Sequence, residues 1–130
     1  MPQVLQPSAW PRPKGYANGV VAKGRQVYVA GQVGWDEKGV FAPGFAAQAR
    51  KALENIVAVL READARPEHI VRMTWYVTDR AEYLAAGADV GRAYKELIGV
   101  YSIAMTAVEV TALMEADARV EIEVTAVIPD

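Results

Sequence analysis

With 130 residues, 52% of them apolar, and a net charge of -2, the chain suffices for one domain with its own core and lacks a general electrostatic grip on nucleic acid. It has no cysteine, which excludes disulfides, thiol catalysis and thiolate metal sites and fits a reducing cytoplasm, the expected location. No apolar window approaches the roughly 20 residues of a membrane span, and MPQVLQPSAWPRPKGY has the makeup of neither a secretion signal nor a transit peptide, so a membrane is not expected as a partner.

Residues 1–18 hold four of the seven prolines, Pro2, Pro7, Pro11 and Pro13, and should form an extended arm. Trp10 on that arm needs a surface to cover it. Gly19 to Ala22 and Gln26 to Ala30 are short β-prone runs around Lys23-Gly24-Arg25, a pattern that predicts a hairpin with Gly24 at positive φ. Gly31 follows directly and marks a bend or a close approach of the backbone. Asp36-Glu37-Lys38-Gly39 reads as a turn.

After Pro43-Gly44 the period changes. Phe45, Ala49, Ala52, Leu53, Ile56, Leu60 and Ala63 fall on one stripe, which predicts a helix from Gly44 to Ala65, ended by Arg66-Pro67, with Gln48 among the residues off the stripe. Ile70 to Thr78 reads as a strand, with Val71, Met73, Trp75 and Val77 on one face. Asp79 is a natural N-cap for a second helix, Arg80 to Ile98, whose stripe is Tyr83, Gly87, Val90, Tyr94 and Leu97. Gly87 and Gly91 weaken that helix by roughly 1 kcal/mol each relative to alanine, and close packing against a neighbour is the simplest compensation.

The last third carries the clearest period. Val120, Ile122, Val124, Ala126 and Ile128 alternate with Arg119, Glu121, Glu123 and Thr125, the pattern of a strand with one buried face. Met105 to Ala112 alternates less cleanly, with Val108, Val110 and Ala112 assigned to one face and Met105 and Ala107 to the other. A connection through Met114-Glu115-Ala116-Asp117 would make these two runs a hairpin. The order hairpin, helix, strand, helix, hairpin predicts an α+β sandwich of one mixed sheet with both helices on one face. Tyr28, Tyr76, Met105 and Val127 would leave the other face partly apolar, which calls for a homo-oligomer.

Few constellations have chemical reach. The single histidine, His69, rules out a His-pair zinc site and reads as a structural surface residue. The glycines of Gly15-Tyr16-Ala17-Asn18-Gly19 and Ala30-Gly31-Gln32-Val33-Gly34 lack the strand-to-helix setting of a nucleotide loop. Glu121 and Glu123 remain. As solvated strand carboxylates they would be inert, whereas Glu121 drawn into a cleft could position or deprotonate water.

Gly15-Tyr16, Asn18-Gly19-Val20, VYVAGQVGWD, AQARKALENIVAVLREA, HIVRMTWYVTDRAEY, MTAVEV and VEIEVTAV, read together, resemble the RidA/YjgF family of reactive intermediate deaminases over nearly the whole chain. The resemblance implies a single RidA-like domain over residues 1–130, a chorismate-mutase-like α+β fold and a homotrimer with clefts between subunits. It also implies hydrolysis of enamines and imines to carbonyl compounds and ammonia with no cofactor and no metal. Tyr16 would cover or hydrogen-bond the substrate, Gly31 would bring backbone groups close, and Glu121 would orient the attacking water.

Some positions depart from the family pattern. Where the deaminases carry an arginine in Pro-Ala-Arg-Ser/Thr, clamping the substrate carboxylate, this chain has Ile103-Ala104-Met105-Thr106. Gly91 stands where many have asparagine, and Ala107 where cysteine is frequent. A lost charge-assisted bond of roughly 1.5 to 3 kcal/mol corresponds to ten- to hundredfold weaker binding of a 2-imino acid. Met105 offers instead a polarizable apolar wall, so a larger or less acidic enamine is expected, with Arg12, Lys14 and Arg92 as alternative anchors. Family members without the arginine imply a catabolic role such as 2-aminomuconate deamination. The alternative is a non-catalytic trimer binding a small aromatic or hydrophobic metabolite. An RNA-cleaving role is disfavoured by the negative charge and the lone histidine.

Overall fold

A computed structural model describes residues 2–130. In chain order the elements are β1 (Gln3–Leu5), β2 (Gly19–Val21), β3 (Arg25–Val33), α1 (Phe45–Arg61), a 3-10 turn (Pro67–His69), β4 (Ile70–Val77), α2 (Arg80–Ala85), α3 (Gly87–Leu97), β5 (Ala104–Glu109) and β6 (Val120–Ile128). The main sheet has the order β3-β6-β4-β5, antiparallel except for the parallel pair of β4 and β5. It is therefore a mixed sheet, and α1 and α3 pack on one of its faces, as the α+β expectation required.

The alternation of β6 is realised: Val120, Ile122, Val124 and Ala126 are buried against α1, while Glu121, Glu123 and Thr125 lie on the opposite, free face. The stripe of α1 buries Phe45, Ala49, Ala52, Leu53, Ile56 and Leu60. Each large aliphatic side chain so buried contributes about 1.5 to 3 kcal/mol. The helix stops at Arg61 instead of Ala65, because Asp64 takes φ 57 and the amides of residues 63–65 turn back on Leu60 and Arg61. The Asp36 turn forms as expected, its Oδ1 accepting from the Lys38 and Val40 amides at 2.9 Å each, bonds that hold its carboxyl below the usual carboxylate range.

Neither predicted hairpin forms. β2 pairs with β1, and Gly24, at φ 149, carries the chain over the end of β6, where a Cβ would lie 2.0 Å from the Ile128 carbonyl oxygen. The positive φ serves that crossing instead of a turn between β2 and β3. β5 and β6 flank β4 on its two sides, and their connection closes around its end through Val110 N–H to Val77 O (2.8 Å) and Thr78 N–H to Arg119 O (3.2 Å). The facing of β5 is consequently the reverse of the expected one. Its parallel register sets Met105 beside Met73 and Ala107 beside Trp75, so both turn toward the helices, and Val108 is exposed. Of the residues assigned to the free face, Tyr28 and Tyr76 lie there, Met105 packs against the core, and Val127 is buried.

The second helix is broken. Asp79 caps α2 by accepting from the Ala81 and Glu82 amides, and Ala86, at φ -88 and ψ 8, separates α2 from α3. Gly87 and Gly91 are not close-packed: a Cβ at either would meet nothing within 4 Å. Trp10 stays 58% exposed, so nothing within the chain covers it. His69 accepts the Arg66 amide on Nδ1 at 3.0 Å, a structural role. No helix among the described residues is long and apolar enough to cross a membrane.

Two polar residues of α1 lock the sheet to it. Gln48, 3% exposed, donates from Nε2 to Asp117 O (3.1 Å) and accepts the Arg119 amide on Oε1 (2.8 Å). Asn55 donates to the carbonyls of Val33 and Trp35 at 3.1 and 2.9 Å. Gln48→Leu leaves a buried amide and a carbonyl unpaired, and a stability loss of about 2 to 4 kcal/mol is expected in chemical denaturation, one to two unmet buried groups. A loss below about 0.5 kcal/mol would show that water satisfies them and that the bonds matter little.

Candidate functional site

A cavity of about 480 Å³ opens where α2, α3 and β5 meet the proline-rich arm. Three local features build it. The parallel register turns Met105 inward at the sheet edge. A bridge between Ala17 and Ala104, with the Ala17 amide donating to Ile103 O at 2.9 Å, holds Tyr16 beside it. The break at Ala86 and the missing side chains of Gly87 and Gly91 leave the space open.

The walls are aromatic. Trp75 and Tyr83 meet edge to face with centroids 6.2 Å apart, and Tyr94 and Tyr101 lie 5.5 Å apart. Tyr94 donates its hydroxyl to Val100 O at 2.6 Å, and burial pushes its phenol pKa upward, so it stays neutral. Trp75 is 3% exposed and its indole N–H has no hydrogen-bond partner among the described residues. An unmet buried donor costs about 1 to 3 kcal/mol, so the deep wall of the cavity is not optimised as core. Among the described residues, Lys14 is the one charged residue in the lining, and no carboxylate joins it.

Glu121 lies elsewhere. It projects from the free face of β6 and is half-buried, with its carboxylate over Gly31 of β3, where the pairing with β6 slips between Val29 and Gln32. A Cβ on Gly31 would come within 2.0 Å of Glu121 Oε2, so the glycine is what admits the carboxylate. On the same face Tyr76 donates to Glu123 Oε1 at 2.7 Å, and that bond raises the tyrosine pKa. Beside them Tyr28, 71% exposed, Arg72, Thr74 and Thr125 border an open hollow of about 380 Å³.

The chain thus brings Tyr16, Gly91 and Met105 together around one cavity and Gly31 and Glu121 together on the other face of the sheet. Ala107 lines a smaller adjoining hollow that shares Tyr83 and Leu84 with the cavity. One chain does not unite the two groups. Of the three alternative anchors, Lys14 reaches the cavity, Arg92 pairs with Asp89 one helical turn away, and Arg12 does not line it. Among the described residues no group of three His, Cys, Asp or Glu side chains could hold a metal ion.

Sequence reasoning missed several residues of this region. Trp75 and Tyr83 read as core stripes and Tyr101 had no reading, because each lies on a different element and no period links them. The available signal was the pair Gly87 and Gly91, which mark the wall of a cavity and not a packed interface. Gln48, off the apolar stripe, proved to be the buried clamp on the backbone of Asp117 and Arg119, just before β6 carries Glu121.

The sequence model described as Endoribonuclease L-PSP matches residues 8–128. A RutC family protein from Synechocystis is 31% identical over 130 residues, covering 98% of this chain and 97% of that one. A protein from Salmonella typhimurium named 2-iminobutanoate/2-iminopropanoate deaminase is 34% identical over 105 residues, covering 80% of this chain and 80% of that one. Among solved structures, a Rid family protein of unknown function from Yersinia pestis superposes with a TM-score of 0.82 at 32% identity over 98% of both chains. RidA from an Antarctic Psychrobacter gives a TM-score of 0.71 at 30% identity, covering 97% of this chain and 99% of that one. With a family match over every strand of the main sheet and all three helices, and relatives above 30% identity along nearly the whole chain, this protein belongs to the RidA/YjgF family.

Proposed function

We propose that this protein hydrolyses an enamine or imine to a carbonyl compound and ammonia, with no metal or organic cofactor, in clefts between the protomers of a homotrimer. The observation that carries this reading is Glu121, whose carboxylate occupies the notch that Gly31 leaves open. A half-buried carboxylate over a bare stretch of backbone suits a base that must hold a water molecule against a flat substrate. The Salmonella relative, named for deaminating 2-imino acids, supports the reaction class.

The separation of the two residue groups supports the assembly. Glu121 and Gly31 line the free face of the sheet, whereas Tyr16, Gly91 and Met105 line the cavity at its β5 edge. Packing the free face of one protomer against the β5 edge of the next would close one site from both. The exposed Tyr28 and the outer edge of β5 beyond its bridge to Ala17 are surfaces of the kind that association covers.

In the proposed step, Glu121 accepts a proton from water as the water oxygen bonds to the imine carbon. The carboxyl returns that proton to nitrogen, giving a carbinolamine; the carbinol hydroxyl proton then passes by way of the carboxylate to the amine nitrogen as the carbon–nitrogen bond breaks, so that ammonia leaves and the carbonyl forms. Tyr16 covers or hydrogen-bonds the substrate, Gly31 supplies close backbone groups, and Gly91 and Ala107 leave room beside Met105. Because Met105 supplies no charge where the deaminases carry arginine, the favoured substrate is larger or less acidic than 2-aminoacrylate.

A second reading, a non-catalytic trimer binding a small aromatic metabolite, is favoured by the aromatic walls of the cavity. Turnover separates the two. Glu121→Gln is expected to lower ammonia release from a panel of imines by about a hundredfold or more, the usual contribution of a general base. Parent-like rates in that variant would end the hydrolytic mechanism. Met105→Arg is expected to raise kcat/KM for 2-aminoacrylate by about ten- to a hundredfold. No gain, in a variant that folds and assembles like the parent, would show that the remaining residues are not set for a 2-imino acid.

A further inference from the structure

The cavity beside Met105 has an electrostatic polarity that Met105 itself does not create. Among the described residues of one chain, its lining includes one formal charge, the ammonium of Lys14, on the arm two residues before Tyr16. No carboxylate shares the lining, and Lys14 is in no ion pair among the described residues. Lys14 is exposed and so stands at the mouth, while the buried Trp75 and Tyr94 form the deep wall with Met105 at the sheet edge. A cation at the entrance of an otherwise apolar, aromatic slot selects for an anion whose charge is carried at one end of a flat apolar body.

We propose that Lys14 is the specificity-determining cation of this site, and that the ligand is a planar unsaturated or aromatic acid with its carboxylate at Lys14 and its apolar body between Met105 and the Trp75–Tyr83 wall. The inference rests on the proposed cleft for its reaction but not for its binding. A compact 2-imino acid has its carboxylate next to the reacting carbon and cannot reach both ends of such a slot. An acid with a conjugated spacer can. Because the ammonium is solvated, its contribution is that of an exposed charge contact, about fivefold in affinity, and it acts mainly by choosing which ligands enter.

Calorimetric titration of the intact protein with trans-cinnamate, with the neutral trans-cinnamamide and with propionate tests this. The parent is expected to bind cinnamate about fivefold more tightly than cinnamamide, and propionate at least about tenfold more weakly than cinnamate, since the aromatic body is lost. Lys14→Gln should erase the preference for cinnamate over cinnamamide while leaving cinnamamide affinity unchanged, and Lys14→Arg should keep it. Equal binding of the acid and the amide by the parent, no binding of cinnamate, or a preference that survives in Lys14→Gln would overturn the proposal. None of these ligands has a C=N bond, so the titration is independent of turnover. Loss of hydrolysis in Glu121→Gln tests the reaction alone, and loss of the carboxylate preference in Lys14→Gln tests the anchor alone.

Discussion

The position of β6 at the centre of the sheet is the constraint on which the remaining architecture depends. It pairs with β3 on one side and β4 on the other, and its alternating Val120, Ile122, Val124 and Ala126 bury one full face against α1. A strand with two partners and one apolar face cannot slip by a single residue without turning its carboxylates into the core. Its start is fixed as well, since Gln48 binds the backbone on both sides of Ala118 just before the strand begins. Glu121 therefore emerges at one place, on one face, next to the one position in β3 where a glycine leaves room for it.

That arrangement divides the functional residues between two surfaces. Because β5 runs parallel to β4 in the register Met73 to Met105, Met105 and Ala107 must face the helices, and because Glu121 lies opposite Tyr76 on β6, it must face away from them. The sheet stands between the cavity and the carboxylate. The free face also carries Tyr28, 71% exposed, beside the half-buried Tyr76 that is held to Glu123. The same surface thus carries both the acid and the exposed aromatic side chain on which the proposed assembly rests.

The cavity itself is made by subtraction. Gly87 and Gly91 cost helix stability and receive no packing in return, and the helix is interrupted at Ala86. What remains is a slot walled by Trp75, Tyr83, Tyr94 and Tyr101, with Met105 at the edge strand and Lys14 at its mouth. Local order is sacrificed where a ligand would otherwise meet a close-packed helix, the pattern expected of a functional surface in an otherwise consistent fold.

The amino-acid sequence by itself determined the elements and their buried faces: the stripe of α1, the alternation of β6, the Asp79 cap and the Asp36 turn are all local patterns, read within a few residues, and each is present in the structure. It also carried the family resemblance, since that rests on spaced motifs. Only the tertiary structure decided which strands pair. Both runs flanking Met114 suit a hairpin, and nothing local reveals that β4 will lie between them, because that choice is made by long-range burial and not by turn chemistry. The facing of Met105 followed from that pairing, as did the role of Gln48, whose amide is polar in any local reading and buried only when the loop before β6 closes over it. The site shares this origin, for its residues come from the arm, two strands and two short helices, and only their packing makes neighbours of Lys14, Trp75 and Met105.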